Sequence, residues 1–182
     1  MSSSVLLTPD ARDSPVHGLP SGWGTRRALP GDAEHIARLL RGDDRLEMEA
    51  LEGRPALEVL QGWMTGGSRV LLIRGEAAAM FGIVPCSDVP GETCAATPWA
   101  AMVSALGRED LVDMLWLSRL QINAWQRRWA VLQTVCDARN RFRSHCLDWL
   151  GFECRGRIER FGAARLPFDL HVRLADMAGC AK

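Results

Sequence analysis

Six cysteines and four histidines are the residues best able to bind metal or form covalent bonds, and their spacing decides whether they do. Cys86, Cys94, Cys136, Cys146, Cys154 and Cys180 form no CxxC pair, and His145 and Cys146 are adjacent instead of standing at ligand spacing. That pattern favours reduced, mostly buried thiols over a disulfide framework or a structural metal, so no metal ligand is assigned. His17, His35 and His171 are isolated along the chain, and a lone histidine is more commonly a core or surface residue than a ligand.

The next chemistry is cationic. Lys182 is the only lysine, and arginines cluster late in the chain at 139, 141, 143, 155, 157, 160 and 165. Guanidinium groups make forked contacts to phosphates and carboxylates. Alternation puts Arg155 and Arg157 on one face of a predicted strand, so Arg155, Arg157 and Arg160 are the candidate interaction residues. Glu153, Glu159 and Asp148 interrupt any phosphate track, and the net charge is zero. A protein partner therefore ranks above nucleic acid. Between these groups, Asp137 or Asn140 can cap the helix that follows, and Arg139 can pair with an acid at the strand end.

Hydrophobic periodicity gives the elements that position these residues. Trp23–Leu29 reads as a strand. Asp32 is the expected N-cap of a first helix with Ala33, Ile36, Ala37 and Leu40 inside. Helices over Asp44–Leu51 and Ala56–Trp63 follow, stopped by Gly53 and by Gly66-Gly67. Arg69–Arg74 and Ala78–Val84 around Gly75-Glu76 read as an antiparallel hairpin, and Trp99–Val103 as a further strand. Residues 110–129 form the longest helix, with Leu111, Leu115, Ile122, Trp125 and Trp129 expected inside. Strand Ala130–Cys136 leads to a helix whose apolar stripe is Phe142, Cys146, Trp149 and Leu150, closed by Gly151. Phe152–Phe161 and Leu170–Leu174 supply the last strands.

This order predicts an α/β domain: a mixed sheet with helices on its faces, over residues 23–174. Residues 1–22 and 175–182 are expected to be tails. With 182 residues, 47% of them hydrophobic, the chain can bury a sizeable core. The first residues lack the basic and apolar regions of a signal peptide, and no run reaches the ~20 apolar residues of a membrane span. The expected location is the cytoplasm, or a particle packaged from it. Seven tryptophans exceed what one small core readily hides, and exposed aromatics beside arginines suit an interface.

The element order, and Asn140 standing in register with Leu150, Gly151 and Phe152, resemble the GNAT superfamily of N-acetyltransferases, whose last helix reads N-x-x-A-x-x-x-Y-x-x-L-G-F. A narrower similarity runs collinearly over residues 26–171. RRALPGDAEHIARLLRGDDRLEMEALEG, AAMFGIVP, TPWAAM, DARN to WLGF and a final LPF resemble GNAT-like proteins of short-tailed phages, described as internal virion proteins or acetyltransferases.

The resemblance implies a mostly antiparallel sheet of six or seven strands, with acetyl-CoA held where the fourth and fifth strands part. It implies that Gly107 and Arg108 would hold the cofactor pyrophosphate at a helix N-terminus, and that Asn140 would orient the pantetheine amide. Glu109 and Asp110 in the same helical turn oppose an anion there. The family's proton-donating tyrosine falls at Leu147, and the chain contains no tyrosine. Cys146, His145 or a water would have to replace it. For the amine, Glu47 is the leading base, with Asp44, Glu49, Glu76 and Asp137 behind it; the alternative for the helical carboxylates is a solvated face.

These departures set the expectation. The chain is read as a phage virion-associated structural or assembly protein whose transfer site has decayed, with no cofactor, binding tail, portal or internal virion proteins and self-associating within an assembly. It would pass from host cytoplasm to virion. The alternative is an active N-acetyltransferase using acetyl-CoA with an unconventional general acid.

Overall fold

The computed structural model describes residues 18–64, 67–86 and 95–175. Seven strands and five helices run β1 (Trp23–Arg27), α1 (Pro30–Leu39), α2 (Gly42–Glu52), α3 (Ala56–Trp63), β2 (Arg69–Ile73), β3 (Glu76–Pro85), β4 (Ala95–Met102), α4 (Arg108–Gln126), β5 (Val131–Asp137), α5 (Arg141–Trp149), β6 (Glu153–Phe161) and β7 (Leu166–Leu174). They form one sheet in the order β1-β2-β3-β4-β5-β7-β6. Every neighbouring pair is antiparallel except β4 and β5. No described helix is long and apolar enough to cross a membrane.

Strand alternation sends residues to two cores. Val70, Met80, Trp99 and Ala101 meet Ile36, Met48, Val59 and Leu60 on the α1–α3 face. Leu71 and Ala79 meet Met114 and Leu117 of α4 on the opposite face, where Leu132 and Cys136 meet Leu147 and Leu150 of α5. Helices therefore cover both faces, as the order of elements predicts.

Several local expectations are corrected. Helix α1 begins at Pro30, whose missing N–H suits a first turn. Asp32 therefore lies inside the helix, where it accepts the Leu29 N–H at 2.8 Å and binds Arg26 at 2.6 and 2.8 Å. The inner face of α4 is Met114, Leu117 and Ile122, with Leu111, Leu115 and Trp125 only half-buried, because Met114 and Leu117 meet β2 and β3 while Ile122 meets Ala96 and Leu132. On α5 the face pressed on the sheet is Leu147 and Leu150. Phe142 and Trp149 turn outward, Phe142 under the Arg41 guanidinium and Trp149 edge-on to Trp116. Of the described cysteines only Cys136 is buried, so the expectation of mostly buried thiols fails; Cys94 and Cys180 lie outside the described residues. Most of the expected tails also lie outside them, although Leu19 packs on the α4-side core.

The β6–β7 hairpin reaches back across the molecule. The N–H groups of Ala163 and Ala164 donate to the carbonyls of Leu51 (3.0 Å) and Ala50 (2.9 Å), satisfying the open end of α2. Gly162 permits that approach. It holds φ +67°, and a Cβ there would fall 2.8 Å from the Ala50 carbonyl oxygen.

Candidate functional site

Strands β4 and β5 pair only at Ala95–Val131 and Ala96–Leu132 and then part, while β4 stays paired with β3 as far as Ala79–Met102. The backbone of β4 alternates between its two edges. Ala95 accepts from Cys86, and Val103 donates to Ala78, on the β3 side; Met102 accepts from Arg41 on the other. By that alternation Pro98 and Ala100 face the gap. Proline has no N–H to strand there. Ala100 presents both its N–H and its C=O toward the opening, with no described backbone partner from β5.

A cavity opens on each face of the sheet beside this gap. The α4–α5 cavity, of about 160 Å³, has walls from Met114, Leu117, Ile122, Cys146, Leu147 and Leu150. The α2–α3 cavity, of about 260 Å³, is walled by Glu47, Met48, Leu51, Glu52 and Trp63. Pro98, Trp99, Thr134 and Arg143 line both, so the two cavities share a wall where the strands part. Trp99 reaches this place because residue 82 is glycine: a Cβ there would lie 2.8 Å from the indole nitrogen.

A buried polar network stands at the junction. The Asn140 side chain caps α5 by accepting the Arg143 N–H at 3.1 Å. Its Nδ2 donates to Glu47 Oε2 at 2.9 Å and to Asp44 Oδ1 at 3.3 Å. Arg143 Nη1 lies 3.3 Å from Glu47 Oε1, and the Cys136 thiol points at Glu47 Oε2 from 3.7 Å. Glu47 is 3% exposed and Asp44 5%, so these are not the solvated helix face that a short charged helix suggests. Burial pushes the Glu47 carboxyl above its ordinary range, opposed by Arg143 and Asn140. Burial likewise raises Cys136 and Cys146, which keeps both thiols protonated.

Of the residues singled out in the sequence, Glu47, Asp44 and Asn140 converge, Cys146 lines the α4–α5 cavity beside them, and the rest, the exposed His145 included, do not join them. Asp137 is gripped by Arg139 at 2.7 to 3.2 Å, which lowers its pKa and weakens it as a base. Glu76 is exposed at the β2–β3 turn. Gly107 and Arg108 stand exposed at the start of α4, outside the cavity linings. Arg155, Arg157 and Arg160 lie on β6, the exposed edge strand, where Arg155 pairs with Glu153 and Arg157 with Asp169. Arg143, Trp63, Trp99 and Pro98 are site residues that the sequence reading does not single out. Arg143 carries a signal that could have found it: it shares the period of Leu147 and Leu150 on the inward face of α5, where a charge needs a buried partner.

No family model matches the chain, and no curated protein does. Solved structures do. The chain is similar to a ribosomal-protein-S5-alanine acetyltransferase from Vibrio fischeri, at 13% identity and TM-score 0.63 over 88% of this chain and 97% of that one. A ribosomal-protein-alanine N-acetyltransferase from Brucella melitensis matches at 18% identity and TM-score 0.63, over 83% and 99%. A Salmonella typhimurium acetyltransferase homologue solved with its cofactor acetyl-CoA matches at 14% identity and TM-score 0.63, over 88% and 98%. At these identities the likeness establishes the fold, that of the GNAT acetyltransferases.

Proposed function

We propose that the chain is an N-acetyltransferase that moves an acetyl group from acetyl-CoA to an amine. One observation carries this reading: the two strands part between a cavity on each face of the sheet, and the buried carboxyl of Glu47 lines one of them. The solved structures it resembles are acetyltransferases, which is why the enzyme is preferred to the assembly protein.

The residues present fit the cofactor along most of its length. The α4–α5 cavity has apolar walls for a pantetheine arm, and Ala100 offers an N–H and a C=O at the strand edge. Arg108 and the first N–H groups of α4 would hold the pyrophosphate, against the opposing charge of Glu109 and Asp110. Bound there, acetyl-CoA supplies an acyl group on a thioester, whose carbon–sulfur bond is exchanged for a carbon–nitrogen bond.

The protein's own groups handle the protons. Glu47, raised by burial, takes the proton of the incoming ammonium, and Arg143 and Asn140 fix its orientation. Leu147 fills the helix position where the family carries tyrosine. Next to it in the chain, and lining the same cavity, the protonated thiol of Cys146 is the donor to the departing sulfur.

Calorimetric titration with acetyl-CoA tests the reading. Micromolar binding, with thiol release when an amine is added, is expected. Binding no tighter than millimolar overturns it.

A further inference from the structure

We infer that the α2–α3 cavity takes a primary amine on an aromatic or aliphatic body, with no carboxylate on the carbon beside the nitrogen, and that Glu52 sets this preference. The inference rests on the reading above and names the class of acceptor.

The walls of the cavity carry the argument. Trp63 and Trp99 lie with ring centroids 5.7 Å apart and planes tilted by 50°, so they form an aromatic corner. Such ring faces attract a cation and an apolar body alike. Glu52 Oε1 accepts the Trp63 indole N–H at 3.3 Å, which fixes the ring beside a carboxylate. Glu47 closes the inner end. Among the described residues the one cation lining the cavity, Arg143, lies 3.3 Å from Glu47 and is already compensated. Arg54 approaches Glu52 at 3.1 Å, but its side chain is 46% exposed and water weakens the pair. An ammonium entering this cavity meets two carboxylates and two indoles. An amino acid brings its own carboxylate to the same two acids, where like charges repel, most strongly beside the buried Glu47.

Both a free amine and the first residue of a peptide satisfy this chemistry. Three probes separate the cases: phenethylamine, L-phenylalanine and a short uncharged peptide beginning with phenylalanine. The full chain is assayed for acetyl transfer to each, and tryptophan fluorescence follows binding of each probe without acetyl-CoA. The expected result is that phenethylamine, the peptide or both exceed phenylalanine at least tenfold in kcat/KM and in affinity. Whichever of the two leads identifies the source of the amine. Glu52→Gln is expected to shrink the ratio at least threefold, and Glu52→Lys to reverse it. Phenylalanine equal to phenethylamine and to the peptide, or a ratio unchanged in Glu52→Gln of normal Tm, overturns the inference. Acetyl-CoA binding with the wrong acceptor order sinks only this inference. Absent acetyl-CoA binding sinks the transfer reading, while the fluorescence order still decides the chemistry of the cavity.

Discussion

Asn140 donates from Nδ2 to Glu47 at 2.9 Å while its Oδ1 holds the first turn of α5 through the Arg143 N–H at 3.1 Å. One amide thus joins α2 to α5 and fixes the buried carboxyl on which the proposed chemistry depends. The pairing spans 93 positions of sequence.

Asn140→Ala removes a helix cap, at a typical cost of about 1 kcal/mol. It also leaves a buried carboxyl short of a donor, at roughly 1–3 kcal/mol. A loss of roughly 2–4 kcal/mol in urea unfolding is expected, together with a lower kcat. A loss within 0.5 kcal/mol of zero, ~0 on the scale of surface substitutions, would show that the amide bridges nothing.

Ala100→Pro removes the N–H that faces the gap, leaves the β3-side ladder untouched and places a second proline on an edge that already accepts Pro98. Acetyl-CoA affinity is expected to fall at least tenfold with Tm little changed. Undiminished affinity in calorimetry would mean that the open edge of β4 holds no cofactor.

Gly162→Ala forces a side chain into a left-handed residue 2.8 Å from the α2 backbone. Strain of about 1–3 kcal/mol is expected in thermal or urea unfolding. Gly31, where an added Cβ meets nothing within 4 Å, is the control, and its alanine variant should lose no stability.

His171 is 1% exposed, and neither ring nitrogen has a hydrogen-bond partner among the described residues; Asp148 comes no nearer than 3.9 Å. Burial lowers its pKa from the ordinary 6.5. As pH falls below 6.5, the unfolded chain takes the proton first, so stability is full above that value and is lost on the way down to the folded pKa. Glu47 acts with the opposite sign. Its pKa is raised from 4.5, so its contribution declines as pH climbs from there toward the folded value. An acid-side decline is expected in urea titrations from pH 8 to 5; His171→Leu should flatten it and should cost less than about 1 kcal/mol at pH 8, because an unpartnered polar ring gives way to an apolar one. An unchanged pH slope would place the decline elsewhere.

The layers of the fold were legible because each element carries its own periodicity. Helix α3 runs Ala56–Trp63 as its apolar spacing indicates, and the β2–β3 hairpin turns at Gly75. The faces of α4 and α5 were less legible, since periodicity fixes a stripe's spacing but not which of two adjacent stripes meets the sheet. Phe142 and Trp149 look like core by type, yet they lie on the surface, Phe142 under Arg41 and Trp149 with Trp116 and Arg119.

The site was half legible. Glu47 and Asn140 stand out by residue type and register, but nothing local reveals that they touch. Arg143 was hidden among six other arginines of its cluster. Trp99 depends on a glycine on the neighbouring strand, and only the β3–β4 register, which sets Gly82 opposite Trp99, brings the two together. The gap itself is an absence of pairing beyond Ala96–Leu132, and an absence leaves no residue to read.

The docking of the β6–β7 tip onto α2 carries a consequence for biosynthesis. The carbonyls of Ala50 and Leu51 wait for amides made more than a hundred residues later, at Ala163 and Ala164. On a ribosome, the helix bearing Glu47 and Glu52 emerges early with its end unsatisfied, and it is clasped only when the last hairpin leaves the exit tunnel. A nascent chain therefore lacks this clasp on the helix that carries Glu47 until Ala163 and Ala164 have been made.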